Sequence, residues 1–406
     1  VMEVTSGEII AMVSLPDYDP NKPINMTHKT TFNRASKGVY EMGSTFKLFT
    51  AAMALDSGTV RVEDGYDASR PIRVARFTIS DYHAKNRWLS VPEIILHSSN
   101  IGAAKMAMDV GAKNQRGYLK RFGLLQPAEL ELPEVGRPLL PSVWRPINTM
   151  TISYGHGISV SPVQLAGAVA ALVNGGIYRK PTLLKRLDGT APRGSRVITK
   201  KTSDQIRDLM RLVVTNGTGR KANVSGYMVG GKTGTAEKST RQGYSKSAKL
   251  SSFVGAFPMN RPRYVLLAVV DEPIGNKGTY NYATGGWVAA PIVGKMVSRM
   301  APILGIAPTV DNDMEVTTLP VRNIGPKSRN QKSKRTFQAI YKPDAQRWAK
   351  NIADAVGITL SNQTEAEEKL VLRARKALTR AVTARTERRK LLSMAVSLVE
   401  RGGASH

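Results

Sequence analysis

The stretch Val229-Gly-Gly-Lys-Thr-Gly-Thr-Ala-Glu-Lys238 decides how this chain is read. It puts one ammonium and two hydroxyls, Lys232, Thr233 and Thr235, within four residues, directly after a glycine pair. Two β-branched, apolar runs follow, Leu250–Pro258 and Arg263–Pro273, with Asn260 to Pro262 as the break between them. That order places the motif on or beside a sheet edge. A lysine flanked by two hydroxyls can hold a carboxylate there, and Gly234 leaves room for an extended ligand along the strand.

Outward from this sheet the periodicity turns helical. Apolar residues recur at helical spacing after Ser44, with Gly58 as a stop, and again over Val91–Gly111, Pro162–Val173, Thr202–Val214 and Trp287–Leu304. Ser161 suits an N-cap and Pro162 the first helical position. The opening run Met2–Leu15 predicts a β-hairpin about Ser6-Gly7. Strands at both ends with helices between them predict an α/β or α+β fold, a sheet packed by helices.

Composition bounds the rest. The chain has 406 residues, 41% hydrophobic and 22% charged, which is ordinary globular usage and enough for a large core. It has no cysteine, which excludes disulfides, thiolate zinc sites and cysteine nucleophiles. The five histidines, His28, His83, His97, His156 and His406, show no metal-ligand spacing. Glu129, Glu131 and Glu134 lie in a proline-rich loop and read as solvated acids. No metal or cofactor is expected, and no segment reaches the ~20 apolar residues of a spanning helix.

The net charge is +28, and its density rises at the end: Val321–His406 holds 19 Lys/Arg against 7 Asp/Glu. Residues 306–335 read as a linker. Residues 336–406 read as a basic helical tail with two helical patterns, Asp344–Gly357 and Asn362–Gly403. The long one mixes Lys and Arg through its middle and lacks a clean basic face, so a solvated or partner-seeking helix is favoured over one that docks on lipid or nucleic acid.

Two further clusters join the lysine motif. Ser44-Thr45-Phe46-Lys47 is the only Ser-x-x-Lys in the chain. Residues three apart on a helix face the same way, so the Lys47 amine can take the proton of the Ser44 hydroxyl if its pKa falls. Ser98-Ser99-Asn100 offers a hydroxyl that can relay a proton and an amide that can orient a lysine. A second Ser-x-Asn, Ser328-Arg329-Asn330, sits in the linker with nothing to hold it. Either cluster alone is weak; the ordered set, with intervals of 54 and 134 residues from Ser44 to Ser98 to Lys232, is not.

That set resembles the active-site motifs of penicillin-binding proteins and serine β-lactamases. The runs NRASKGVYEMGSTFK, LHSSNIGAAKMAM, MTISYGHGISVSPVQLAGAVAALVNGG and VGGKTGTAEK are similar to class B penicillin-binding proteins of the cell-division type, alphaproteobacterial in character. The resemblance covers residues 1 to about 305 and implies a penicillin-binding/serine β-lactamase-like fold, an antiparallel sheet flanked by helices. It implies Ser44 as nucleophile, Lys47 as base, Ser98 as proton shuttle and Asn100 as orienting group. Lys232, Thr233, Gly234 and Thr235 would bind a carboxylate, and Tyr154 and His156 would line the cleft.

The implied activity is septal peptidoglycan D,D-transpeptidation. Its ligands would be peptidoglycan stem peptides or lipid II, together with β-lactams; its partners would be divisome membrane proteins, with no nucleic acid. The family works at the periplasmic face of the inner membrane, and the anchor, pedestal and signal found there are expected to be missing here. Met42 replaces the proline common before Gly-Ser. Two alternatives stay open: a serine β-lactamase, although Glu134-Val-Gly-Arg-Pro does not fit a deacylation loop, and a non-catalytic β-lactam-binding remnant or sensor.

Overall fold

A computed structural model of the chain describes residues 1–308 apart from 23–28, 75–76, 187–190 and 241–242. The predicted tail, and the predicted linker beyond residue 308, lie outside the described residues.

In chain order the elements are β1 (Met2–Glu3), α1 (Lys47–Asp56), β2 (Gly65–Asp67), β3 (Ile72–Val74), β4 (Phe77–Ile79), β5 (Trp88–Ser90), α2 (Val91–Leu96), α3 (Asn100–Val110), α4 (Ala112–Arg121) and α5 (Pro146–Ile152). They continue with α6 (Pro162–Val173), β6 (Ile177–Tyr178), β7 (Ser195–Arg196), α7 (Lys200–Asn216), β8 (Gly230–Thr240), β9 (Gly243–Phe257), β10 (Tyr264–Asp271) and α8 (Ala289–Ile303). One antiparallel sheet, ordered β1-β10-β9-β8, dominates, and β8 is its edge strand. Among the described residues three two-stranded sheets, β2-β5, β3-β4 and β6-β7, decorate the helical side.

Side chains alternate across the central strands and so feed two cores. Val254 and Ala256 of β9 and Val265 of β10 join α1, α6 and α7 on one face. Phe253, Phe257, Tyr264 and Leu266 pack with Val293 and Val297 of α8 on the other. The α1 helix is buried on every side from Lys47 to Ala54, as expected of a helix apolar all round. Phe49 crosses edge-on to Phe46 and Phe122, with centroids 5.5 and 5.2 Å away, which locks its rotation.

The antiparallel sheet flanked by helices is the architecture expected, and two local readings need correction. The opening hairpin shrinks: Met2 and Glu3 pair with Val265 and Tyr264, but the return arm carries only isolated bridges, Met2 to Ile9 and Glu8 to Thr182, and the Ile10 N–H still meets the Val1 carbonyl at 2.9 Å. The Ile9 N–H goes instead to the Thr182 carbonyl, 2.8 Å, and Ile10, Val13 and Leu15 are exposed. The helix expected over Val91–Gly111 is two helices, α2 and α3, because Ser98 adopts φ 58° and the ladder stops there. The α4 and α5 helices were not anticipated; α4 is strongly polar, and α5 is only seven residues long.

Candidate active site

Ser44 lies in a 3-10 turn, Gly43–Phe46, that leads into α1. With three residues per turn, positions i and i+3 eclipse, so Ser44 Oγ stands 2.9 Å from Lys47 Nζ. Gly43, at φ +55°, backs onto the main chain of Thr235 in β8. Gly155, at φ +81°, packs on the Gly43 carbonyl so closely that no Cβ would fit. The serine turn is thus wedged between the sheet edge and the loop after α5.

Lys47 is fully buried and reaches four acceptors. These are Ser98 O at 2.6 Å, Asn100 Oδ1 at 2.7 Å, Ser44 Oγ at 2.9 Å and Ser98 Oγ at 3.1 Å. Asn100 Nδ2 donates to the Ser80 carbonyl, 2.9 Å, so Oδ1 is the atom turned to the lysine. A neutral amine has two protons and one lone pair. The Ser98 carbonyl and Asn100 Oδ1 can only accept, so they take both protons and leave the lone pair for the Ser44 hydroxyl. Burial, then the nearby Lys232, hold the Lys47 pKa well below its ordinary value, with Asp81 opposing. The geometry and the lowered pKa both favour loss of a proton from Lys47, and a free amine beside the Ser44 hydroxyl is the condition for drawing off its proton.

Lys232 approaches from β8. Its amine, also fully buried, donates to Ser98 Oγ at 2.9 Å and to the Thr233 carbonyl at 3.2 Å. Burial brings its pKa down to about 7. Ser98 Oγ therefore bridges the two lysines, a position from which a hydroxyl can pass a proton onward.

The structure brings Ser44, Lys47, Ser98, Asn100 and Lys232 into one hydrogen-bonded network. The other expected residues stand around it. Thr233 Oγ1 pairs with Thr218 Oγ1 at 2.7 Å, and Thr235 Oγ1 accepts from the Gly285 N–H at 3.1 Å. Gly234 lies against the Met42 carbonyl and Ser252 with no room for a side chain. Tyr154 and His156 have ring centroids 5.4 Å apart. Burial and Glu41 raise the Tyr154 hydroxyl to about 12, while burial and then Lys47 lower His156 to about 4, so its imidazole is neutral at pH 7.

Sequence reasoning missed four residues. Glu41 accepts from the Gly157 N–H, 2.8 Å, and Thr218 and Gly285 steady the hydroxyls of β8. Asp81 grips the start of α3. None has a sequence signal of its own, since each is defined by a partner far along the chain.

A serine hydrogen-bonded to a buried amine, at the edge of an antiparallel sheet carrying Lys-Thr-Gly-Thr, defines the class of serine-acylating proteins with a Ser-x-x-Lys centre. The family model described as "Penicillin binding protein transpeptidase domain" matches residues 1–298, and the chain belongs to that family. It is 44% identical over 315 residues to the probable peptidoglycan D,D-transpeptidase FtsI of Caulobacter vibrioides, an alignment covering 75% of this chain and 54% of that one. It is 31% identical over 311 residues to the peptidoglycan D,D-transpeptidase FtsI of Escherichia coli K12, covering 76% and 51%. The chain thus spans about half the length of these two relatives. The apo structure of the TP domain from Burkholderia pseudomallei penicillin-binding protein 3 superimposes with a TM-score of 0.67 at 33% identity, covering 76% of this chain and 88% of that one.

Proposed function

We propose that this chain carries the transpeptidase centre of a septal peptidoglycan D,D-transpeptidase, with Ser44 as the acylated residue. The observation that carries the reading is Lys47, buried, depressed in pKa and 2.9 Å from Ser44 Oγ.

Ser44 Oγ attacks the carbonyl between the two D-alanines of a stem peptide, and its proton passes to Lys47 Nζ. Backbone N–H groups of Ser44 and the β8 edge at Thr235 hold the developing oxyanion. The C–N bond breaks as the departing amine takes a proton relayed through Ser98, leaving an ester on Ser44. The amine of a second stem peptide then attacks the ester and gives its proton to Lys47, which returns it to the departing Ser44 oxygen as the C–O bond breaks, forming the cross-link. Charged Lys232, with Thr233 and Thr235, binds the terminal carboxylate of the donor, and Tyr154 and His156 wall the cleft. A β-lactam follows the same first half, but its opened ring keeps the leaving nitrogen attached and blocks the acceptor.

The substrates are stem peptides or lipid II, and the site of action is the periplasmic face of the inner membrane, beside divisome proteins. Among the described residues no helix is long and apolar enough to cross a membrane. Fluorescent penicillin should label the purified protein in a band that survives denaturation and is lost in Ser44→Ala. An unlabelled parent protein would refute the reading. Release of the label within seconds would make the chain a β-lactamase instead.

A further inference from the structure

Asp81 follows β4 and belongs to none of the three motifs, yet its carboxylate takes two hydrogen bonds from the second one and a third from Ile101 just after it. Oδ1 accepts from the Asn100 N–H at 2.6 Å and the Ile101 N–H at 3.0 Å, and Oδ2 accepts from Ser99 Oγ at 2.7 Å. We infer that Asp81, with the Ser80 carbonyl beside it, is a positioning residue for acylation: the pair seats the start of α3 so that Asn100 and Ser98 meet the Lys47 amine. This rests on the acyl-enzyme reading above.

The first N–H groups of a helix have no partner within it. At α3 those of Asn100 and Ile101 go to Asp81, and that of Gly102 goes to Ser99 Oγ at 3.0 Å. Ser99 thus caps α3 while handing its own proton to Asp81. The adjacent Ser80 carbonyl, which can only accept, takes the Asn100 Nδ2–H and so fixes which end of that amide faces Lys47. Backbone and side chain of Asn100 are therefore held by two consecutive residues. The preceding strand β4 is anchored by Ile79, which is buried against Ala104 of α3 and Tyr154 of the cleft wall. Relaxing this clamp lets the α2–α3 junction, with Ser98 at φ 58°, swing away from Lys47.

A helix cap alone would be served by an uncharged side chain, as Thr199 serves α7. Asp81 adds a negative charge that acts on Lys47 through the start of α3 and opposes Lys232 from β8, with neutral His156 on the loop after α5. Loss of that charge makes Lys47 easier to deprotonate, so the acid limb of the acylation rate moves to lower pH. Loss of a cap does not move it.

The test measures penicillin acylation by stopped flow in the parent, Asp81→Ala, Asp81→Asn and Thr199→Ala, with melting temperatures alongside. Asp81→Ala should slow the covalent step about 100-fold, with initial binding changed less than about threefold. Asp81→Asn, which keeps an acceptor oxygen, should recover about tenfold of that loss, with its acid limb shifted to lower pH. Thr199→Ala should lose melting temperature and keep the parental rate. Parental rates in both Asp81 variants, or an unmoved limb in Asp81→Asn, would overturn the inference. If Asp81→Ala fails to fold, Asp81→Asn decides alone. A parent protein that is not acylated at all would overturn the transpeptidase reading, and this inference with it.

Discussion

The α6 helix and the α2–α3 segment start alike and end differently. Each opens on a serine N-cap answered by the third residue in, Ser161 with Gln164 and Ser90 with Glu93, and each has a proline in its first turn. The α6 helix then runs twelve residues without a break and packs in the core. The α2 helix stops after six, Ser98 turns to φ 58°, and α3 restarts on its own cap at Ser99. A serine in the left-handed region costs about 1–2 kcal/mol. The interruption frees the Ser98 carbonyl to accept from Lys47 and aims its hydroxyl between two lysines. Continuous helix yields packing; the broken one yields a polar centre beside buried apolar residues. Backbone strain here stands at the candidate active site, and strain tends to cluster at such sites.

The largest effect falls on the group that the break serves. Lys47→Ala should lower penicillin acylation at least ~1,000-fold, because among the described residues no other amine is hydrogen-bonded to Ser44 Oγ. Stopped-flow labelling measures it, and a loss below tenfold would detach Ser44 from its base.

Next comes a variant that separates the backbone of the break from its hydroxyl. Ser98→Gly tolerates positive φ and should raise stability by ~1 kcal/mol while slowing acylation about 100-fold. Urea unfolding and the acylation rate, measured together, should move in opposite directions.

A smaller effect appears in the pH profile. On the proposed mechanism, acylation needs Lys47 neutral and Lys232 charged. The second-order rate should therefore rise with pH as the lowered Lys47 gives up its proton, then fall as Lys232 does so near its depressed value of about 7. Because the two amines repel each other, both limbs belong to the pair. An alkaline limb near 10.5 would mean that Lys232 is not desolvated.

The smallest effect belongs to the control. Ser161→Ala removes the cap of α6 and should cost ~1 kcal/mol in urea unfolding with acylation unchanged.

Much of this contrast was legible in the chain. The Ser161-Pro162 start and the Lys-Thr-Gly-Thr edge strand are local features, where propensity, capping and packing agree. Ser44 and Lys47 were legible as a pair because one helical turn brings them together. The break at Ser98 was not, since Ile94, Ile95, Ile101 and Ala104 keep helical spacing across it and all four are buried. What interrupts the helix is long-range: Lys47 lies 51 residues before Ser98, and Asp81 lies 19 before Asn100. The fall in the Lys47 pKa has the same origin, since burial and Lys232 act through the fold rather than through neighbours in sequence.

The central claim is that Ser44 becomes an ester. Incubation with benzylpenicillin, proteolysis and mass spectrometry test it most directly. The account predicts one mass increment equal to the intact penicillin, confined to the peptide that contains Ser44 and absent from Lys47→Ala over the same interval. An increment on any other peptide, or none on the folded parent protein, would contradict it.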